Sequence, residues 1–272
     1  MNYQKTIIIM SAALVLSGCF ESRKNTEELC ANNPSLRCES LNMDDGRCRV
    51  PRTDLVWHRF ALLQQQTDAM VVKEYQLVAE YKKCLELAAQ IKPLEQSKRK
   101  EQRFISLVHA NDELVRITAL LQQSSSPDVL YFLWTQLSDN QAKRRFLQLE
   151  GSPTLETSEL QYALATFYTT RQPLKTIELL NRSLELSNPN EINVDVITSL
   201  ASINYRIDAK EKAYIWATIA KRFDAPTADD TNFKLLYGFP EEKYQQLDHI
   251  AQQVYSAITN GNYNRNLLVQ LN

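Results

Sequence analysis

Glycine is scarce in this chain, with 5 among 272 residues, and its scarcity excludes a good deal. Phosphate-cradling loops are built from glycines, and neither a G-x-x-x-x-G-K-[ST] loop nor a G-x-G-x-x-G turn occurs. The strained G-x-S-x-G elbow of an α/β-hydrolase is also missing. Histidine is rarer still. His58, His109 and His249 are far apart, none sits in an H-E-x-x-H pair, and each reads as a satisfied or surface side chain. No C-x-x-C occurs, which removes the usual redox dithiol and zinc knuckle. A basic surplus is absent too: 31 Lys and Arg stand against 32 Asp and Glu. Nucleic acid is therefore not an expected partner.

Carboxylates are plentiful but not arranged for catalysis. Glycoside hydrolysis needs two carboxyl groups facing each other across a cleft roughly 5 to 9.5 Å apart. The neighbours Asp229-Asp230 and Glu241-Glu242 do not show that, and the second pair, just after Pro240, serves a helix N-terminus more simply. The runs Lys98-Arg99-Lys100 and Lys143-Arg144-Arg145 read as solvated helix faces. The sequence offers no catalytic residue, no metal ligand set and no cofactor motif, so the expectation is a protein that is not an enzyme.

What is present begins at the amino terminus. Lys5 and the terminal amine are followed by the apolar run "TIIIMSAALVL", then by small Ser17 and Gly18, which is the layout of a signal peptide. The run is shorter than the roughly 20 residues that span a bilayer. Leu16-Ser17-Gly18-Cys19 resembles the lipobox of bacterial lipoproteins at every position. That resemblance implies cleavage before Cys19, diacylglycerol on its sulfur and acylation (palmitate) of its new amine. Each buried methylene of such chains contributes about 0.8 kcal/mol, so several chains anchor durably. An Asp after the cysteine is the usual inner-membrane retention signal of that class. Here the position is Phe20, which favours the outer membrane, with the body in the periplasm.

Removing residues 1–18 takes away one lysine and no acid, so the formal net charge moves from −1 to −2. Cys30, Cys38, Cys48 and Cys84 remain, an even number in an oxidising compartment, and three connectivities are open. Asp45-Gly46 is a favoured two-residue turn, which predicts a β-hairpin in a short Cys-rich head. That hairpin leaves Cys38 beyond its end, so the expectation is two bridges, one of them tying the head to Cys84 on a helix.

From Thr53 onward helix follows helix. Thr53 or Asp54 can cap a stretch carrying Leu55, Val56, Phe60 and Leu63 at helical spacing. Further helices are predicted over 68–91 and 94–123, and from Ser126-Pro127 to Leu137. Asp139 caps the next, to Leu149, with Gly151 and Pro153 stopping it. A soft boundary falls near 123–127. Sliding the chain on itself by 36 residues pairs Leu160 with Val196, Leu164 with Leu200, Leu180 with Trp216 and Leu184 with Ala220. Two helices per unit share their apolar pattern, and a weaker copy starts at Val129. With Leu200, Ala201, Ala213, Ala217 and Ala220 at packing positions, the repeat resembles tetratricopeptide and Sel1-like helical hairpins. Asn204 stands where that motif has an aromatic residue, and its tight-turn glycines are missing.

The expected fold is all-α: stacked helical hairpins in a tetratricopeptide/Sel1-like array, preceded by the Cys-rich head. The organisation is a signal peptide over 1–18, a lipidated N-terminus and head over 19–52, long helices over 53–123, a repeat domain over 127–260 and a tail over 261–272. On the stretch "LNMDDGRCRVPRTDLVWHR", residues 41–59, the mature chain also resembles a family of Gram-negative lipoproteins catalogued as a domain of unknown function. That resemblance brings no activity. Stacked hairpins expose a curved face suited to proteins or peptides. The expected role is thus a membrane-anchored periplasmic adaptor or scaffold, held by acyl chains on Cys19, with a protein partner in the envelope. Tyr168, Tyr205 and Trp216 are candidates for contact with that partner. The alternatives are a cell-wall or glycan-acting enzyme whose carboxylates converge only in three dimensions, and a structural envelope lipoprotein with no discrete ligand.

Overall fold

The structure, a computed structural model, describes residues 25–91, 97–226 and 230–271. Cys19, the lipobox and the signal segment lie outside the described residues. Among the described residues there are twelve α-helices and several 3-10 turns, and no strand. The chain divides into two compact units between Gln123 and Ser124.

The first unit holds α1 (Thr26–Asn32), α2 (Arg49–Gln64), α3 (Asp68–Gln90) and α4 (Ser97–Leu121). Asn25 caps α1 by accepting from the Glu28 N–H at 3.1 Å, and Thr67 caps α3 by accepting from the Met70 N–H. α3 packs against both α2 and α4, burying Leu55, Val56, Leu77, Val78, Tyr81, Leu85, Ile117 and Leu121. The bridges are Cys30–Cys38 and Cys48–Cys84, so the head is stapled within itself and to α3. The expected hairpin at Asp45-Gly46 does not form. Asp45 is buried, its carboxylate accepting from Arg103 Nε at 2.5 Å and from the Arg47 N–H at 3.0 Å. With that side chain committed to α4, the segment coils into turns instead. α2 also begins earlier than Thr53. Cys48, at φ 58°, ends the head in the left-handed region, and Pro51 is accommodated in the first helical turn, where its missing N–H costs nothing.

The second unit contains the hairpins α5 (Pro127–Leu137) with α6 (Asn140–Gln148), α7 (Ser158–Tyr168) with α8 (Pro173–Glu185), and α9 (Val194–Arg206) with α10 (Lys210–Arg222). α11 (Asp230–Tyr237) and α12 (Glu241–Thr259) follow, and α12 packs on α10. Asp139 caps α6 by accepting from the N–H groups of Gln141 and Ala142. α7 and α9 begin 36 residues apart, and the aligned pairs Leu160/Val196, Leu164/Leu200 and Leu180/Trp216 are all buried. Turns that lack glycine use other residues in the left-handed region: Ser138 at φ 56° and Asp208 at φ 62°. Asn204 is buried and donates to the Leu200 carbonyl at 2.8 Å. The carboxyl-terminal segment is not a loose tail. Tyr263 and Leu268 are buried, and Arg265 grips Glu185 on α8 at 2.9 and 3.0 Å.

Candidate functional site

Of the three aromatic candidates, Trp216 is excluded as a contact residue. It is 1 % exposed and packs edge-on to Tyr263 at 5.9 Å, deep in the core of the second unit. Leu180, 36 residues earlier, is buried in the same core. Tyr205 on α9 is 44 % exposed and stands edge-on to Tyr237 at 6.0 Å. Tyr168, the last residue of α7, is half-buried and lies in a different neighbourhood from Tyr205.

Tyr168 is tied from two sides. Its hydroxyl donates to Glu150 Oε2 at 2.5 Å, and the Lys175 ammonium stands 4.0 Å above its ring. Lys175 is ion-paired with the same Glu150. The ring continues into an aromatic wall. Phe167 meets Tyr168 at 4.9 Å and Trp134 at 5.7 Å, and Trp134 meets Phe146 at 5.8 Å. Cations cover this wall. The Lys143 ammonium lies 5.0 Å from the Phe167 ring and 5.5 Å from Trp134, while the Arg171 guanidinium is 5.1 Å from Phe167. Lys143, expected on a solvated face, therefore rests on aromatic rings.

Below Tyr168 runs a groove of about 360 Å³ on α7 and α8, whose walls include Glu150, Glu156, Gln161, Lys175, Arg182 and Arg265. Two of its carboxylates, Glu150 and Glu156, are ion-paired. Arg182 reaches Glu156 through Nε at 2.8 Å and a terminal nitrogen at 2.7 Å. Glu185, behind the groove, accepts from Arg265 twice and from Arg182 at 3.3 Å. Burial pushes the Glu150 carboxyl up, but the hydrogen bonds from Lys175 and Tyr168 outweigh it and hold the group below the usual carboxylate range. The hydrogen bond from the Arg265 side chain brings Glu185 down to about 2. Groups held this way are anionic at neutral pH and are poor proton donors. The groove can bind charged and hydrogen-bonding groups, with an aromatic and cationic rim beside it.

The remaining candidates sit elsewhere. Cys30, Cys38 and Cys48 of the head and Cys84 of α3 are all consumed in bridges. His58 Nε2 pairs with the Met70 carbonyl at 2.8 Å, and His249 pairs with Gln253. Glu241 and Glu242 lie in the first turn of α12, where the helix dipole favours them. Among the described residues no group of three or more His, Cys, Asp or Glu gathers as a metal site, and no helix is long and apolar enough to cross a membrane. Sequence reasoning missed Glu150, Lys175 and Arg265. A signal existed for Lys175, since it follows Tyr168 by seven residues across a short turn, a spacing at which a helical hairpin folds back on itself.

No curated protein and no solved structure gave a match to the chain. Residues 16–218, about three quarters of the length, match the model of a family described as Protein of unknown function (DUF2989), and the chain belongs to that family.

Proposed function

We propose that this protein is a lipid-anchored periplasmic adaptor, attached through acyl chains on Cys19 and holding a protein partner on its helical hairpins. On this reading the hairpins α5–α6, α7–α8 and α9–α10 are a tetratricopeptide/Sel1-like array, and the anchor resides in the outer membrane because Phe20 replaces the retention Asp. One observation carries it: Tyr168 is fixed by Glu150 and Lys175 at the junction of a charged groove and an aromatic wall. A rigid ring flanked by both signs of charge is what a peptide-holding surface needs, since it offers apolar area at little entropic cost. The ion-paired state of Glu150 and Glu156 supports a binding role for the groove over a hydrolytic one, which would require a carboxyl with a raised pKa.

The test is capture in the native envelope. A photoreactive phenylalanine analogue placed at Tyr168 should crosslink one reproducible protein, identified by mass spectrometry. Capture should fall when Lys175→Ala and Glu150→Ala are added. Recovery of glycan alone, or of nothing, sinks the adaptor. For the anchor, palmitate incorporation into Cys19→Ala equal to wild type would remove the lipid.

A further inference from the structure

The first unit carries a cleft that the adaptor reading does not use. It has a volume of about 790 Å³ and is walled by α1, the head and the start of α2. Arg52 lines it. This side chain is only 5 % exposed, yet its Nε–H has no acceptor, and none of the ion pairs among the described residues includes it. One terminal nitrogen donates to the carbonyls of Asn42 and Asp45, which fixes the guanidinium without neutralising it. A buried cation outside any ion pair is costly unless an anion completes it. The second feature is the start of α2 itself. Cys48 supplies no side-chain cap, and the first turn carries no acid but Arg49 and Arg52 in its place. Uncapped N–H groups, the helix dipole and two guanidinium groups all favour an anion. The same cleft is lined by Glu27 and Asp54, both exposed, which suit a cation. Its walls thus offer charges of both signs, with exposed Val50 beside them.

We propose that this cleft binds a phosphoethanolamine headgroup, its phosphate on Arg52 and the start of α2 and its ammonium on Glu27 and Asp54. A phosphodiester matches the planar fork of a guanidinium. A primary ammonium can donate to two carboxylates, which a quaternary choline cannot. The membrane is the source, and this part rests on the lipid-anchor reading. Asn25, in the cleft wall, is six residues from Cys19, and six extended residues span at most about 20 Å. A chain anchored at Cys19 therefore keeps the cleft within reach of headgroups.

The experiment is a calorimetric titration of full-length Cys19→Ala chain, in a sugar-headed detergent, with sn-glycero-3-phosphoethanolamine. Saturable binding is expected, weakened about tenfold in Arg52→Gln by loss of the charge-assisted bond. Because Arg52 also braces the head, a second variant guards the reading: Glu27→Gln with Asp54→Asn, both exposed, should leave the thermal transition in place and still weaken binding several-fold. Glycerophosphocholine and inorganic phosphate should bind several-fold more weakly. Absence of saturation, or equal binding of phosphocholine, inorganic phosphate or glycylglycine, overturns the proposal. A second arm uses the lipidated chain in micelles doped with phosphatidylethanolamine. Retention of that lipid by wild type and not by Arg52→Gln supports the membrane source, and no retention beside a positive titration overturns it. Loss of the anchor would appear only in palmitate labelling and would leave the titration unchanged.

Discussion

The two units bury different things. Every charged side chain buried among the described residues belongs to the first: Asp45, Arg52, Arg59, Glu74 and Arg103. Arg59 donates to Glu74 at 3.0 Å, to Glu113 at 2.8 Å and to the Leu36 carbonyl at 3.2 Å, while Arg103 joins Asp45 to the Ala88 carbonyl. Both disulfides are there too. The second unit buries polar but uncharged groups, among them Gln161, Asn181 and Asn204, within a core rich in rings: Trp216, Tyr214, Phe233, Tyr237, Tyr244 and Tyr263. Stacked hairpins present matching apolar stripes, so apolar packing is the main force holding them. The head has only short turns to offer α2, α3 and α4, and it is held by crosslinks and directional ion pairs instead.

If that contrast is real, each unit should fail in its own way. The largest effects come from the centre of each. Arg59→Met should destabilise the first unit by about 3–5 kcal/mol, because buried Glu74 loses its close partner and keeps only half-exposed Arg116 at 3.4 Å, while Glu113 retains Arg37 and Arg116. Adding Glu74→Met and Glu113→Leu should recover most of the loss, since a packed apolar replacement of a buried ion network is close to neutral. Trp216→Ala should cost the second unit about 3–5 kcal/mol with no such rescue. Urea unfolding followed by probes in each unit reads both, and a single substitution that melts both units equally would erase the distinction.

Next comes the crosslink. Cys48→Ser with Cys84→Ser should lower the first unit by about 2–5 kcal/mol. The second unit contains no cysteine, so a reductant should shift one thermal transition and leave the other where it was. Smaller again is Glu185→Gln, which should cost about 1–3 kcal/mol through the lost charge-assisted bonds to Arg265. Its signature is faster proteolysis after Tyr263, and an unchanged cleavage rate would show that the ion pair contributes nothing.

The smallest effect is on pH. The folded pKa of Glu185, about 2, lies below the ordinary 4.5. A group depressed on folding stabilises above its unfolded pKa, and that contribution disappears as pH falls through the folded one. The docked carboxyl-terminal segment should therefore hold above pH 4.5 and loosen progressively toward pH 2. The near-ultraviolet signal of Tyr263 would report it, and Glu185→Gln should flatten the profile.

Much of this architecture could be read from residues alone, for reasons that are local. Asp139 and the Ser126-Pro127 pair start helices by short-range chemistry, and the 36-residue period needs only apolar residues at equivalent positions. The misreadings share a cause in partners distant in the chain. Asp45-Gly46 has the chemistry of a hairpin turn, yet Arg103, 58 residues away, claims its carboxylate. Arg52 and Arg59 look like ordinary surface charges until they are seen on the same face as Leu55 and Val56, at i, i+3, i+4 and i+7. At the candidate site, Tyr168 could be singled out as an aromatic on a repeat, whereas Glu150 and Lys175 join it only through the fold. Trp216 was open to misreading because the same repeat position suits either a core ring or a contact ring, and only the neighbour's shape decides.

The order of the cysteines has a further consequence. They pair as consecutive neighbours, the first of the head with the second and the third with the one on α3. A chain oxidised while it emerges amino terminus first meets each correct partner as the first one on offer. By the time Cys48 appears, Cys38 is already spent on Cys30, and the wrong bridge between them has no substrate. With Cys19 acylated as proposed above, such a chain should mature with an oxidant alone, without a disulfide isomerase.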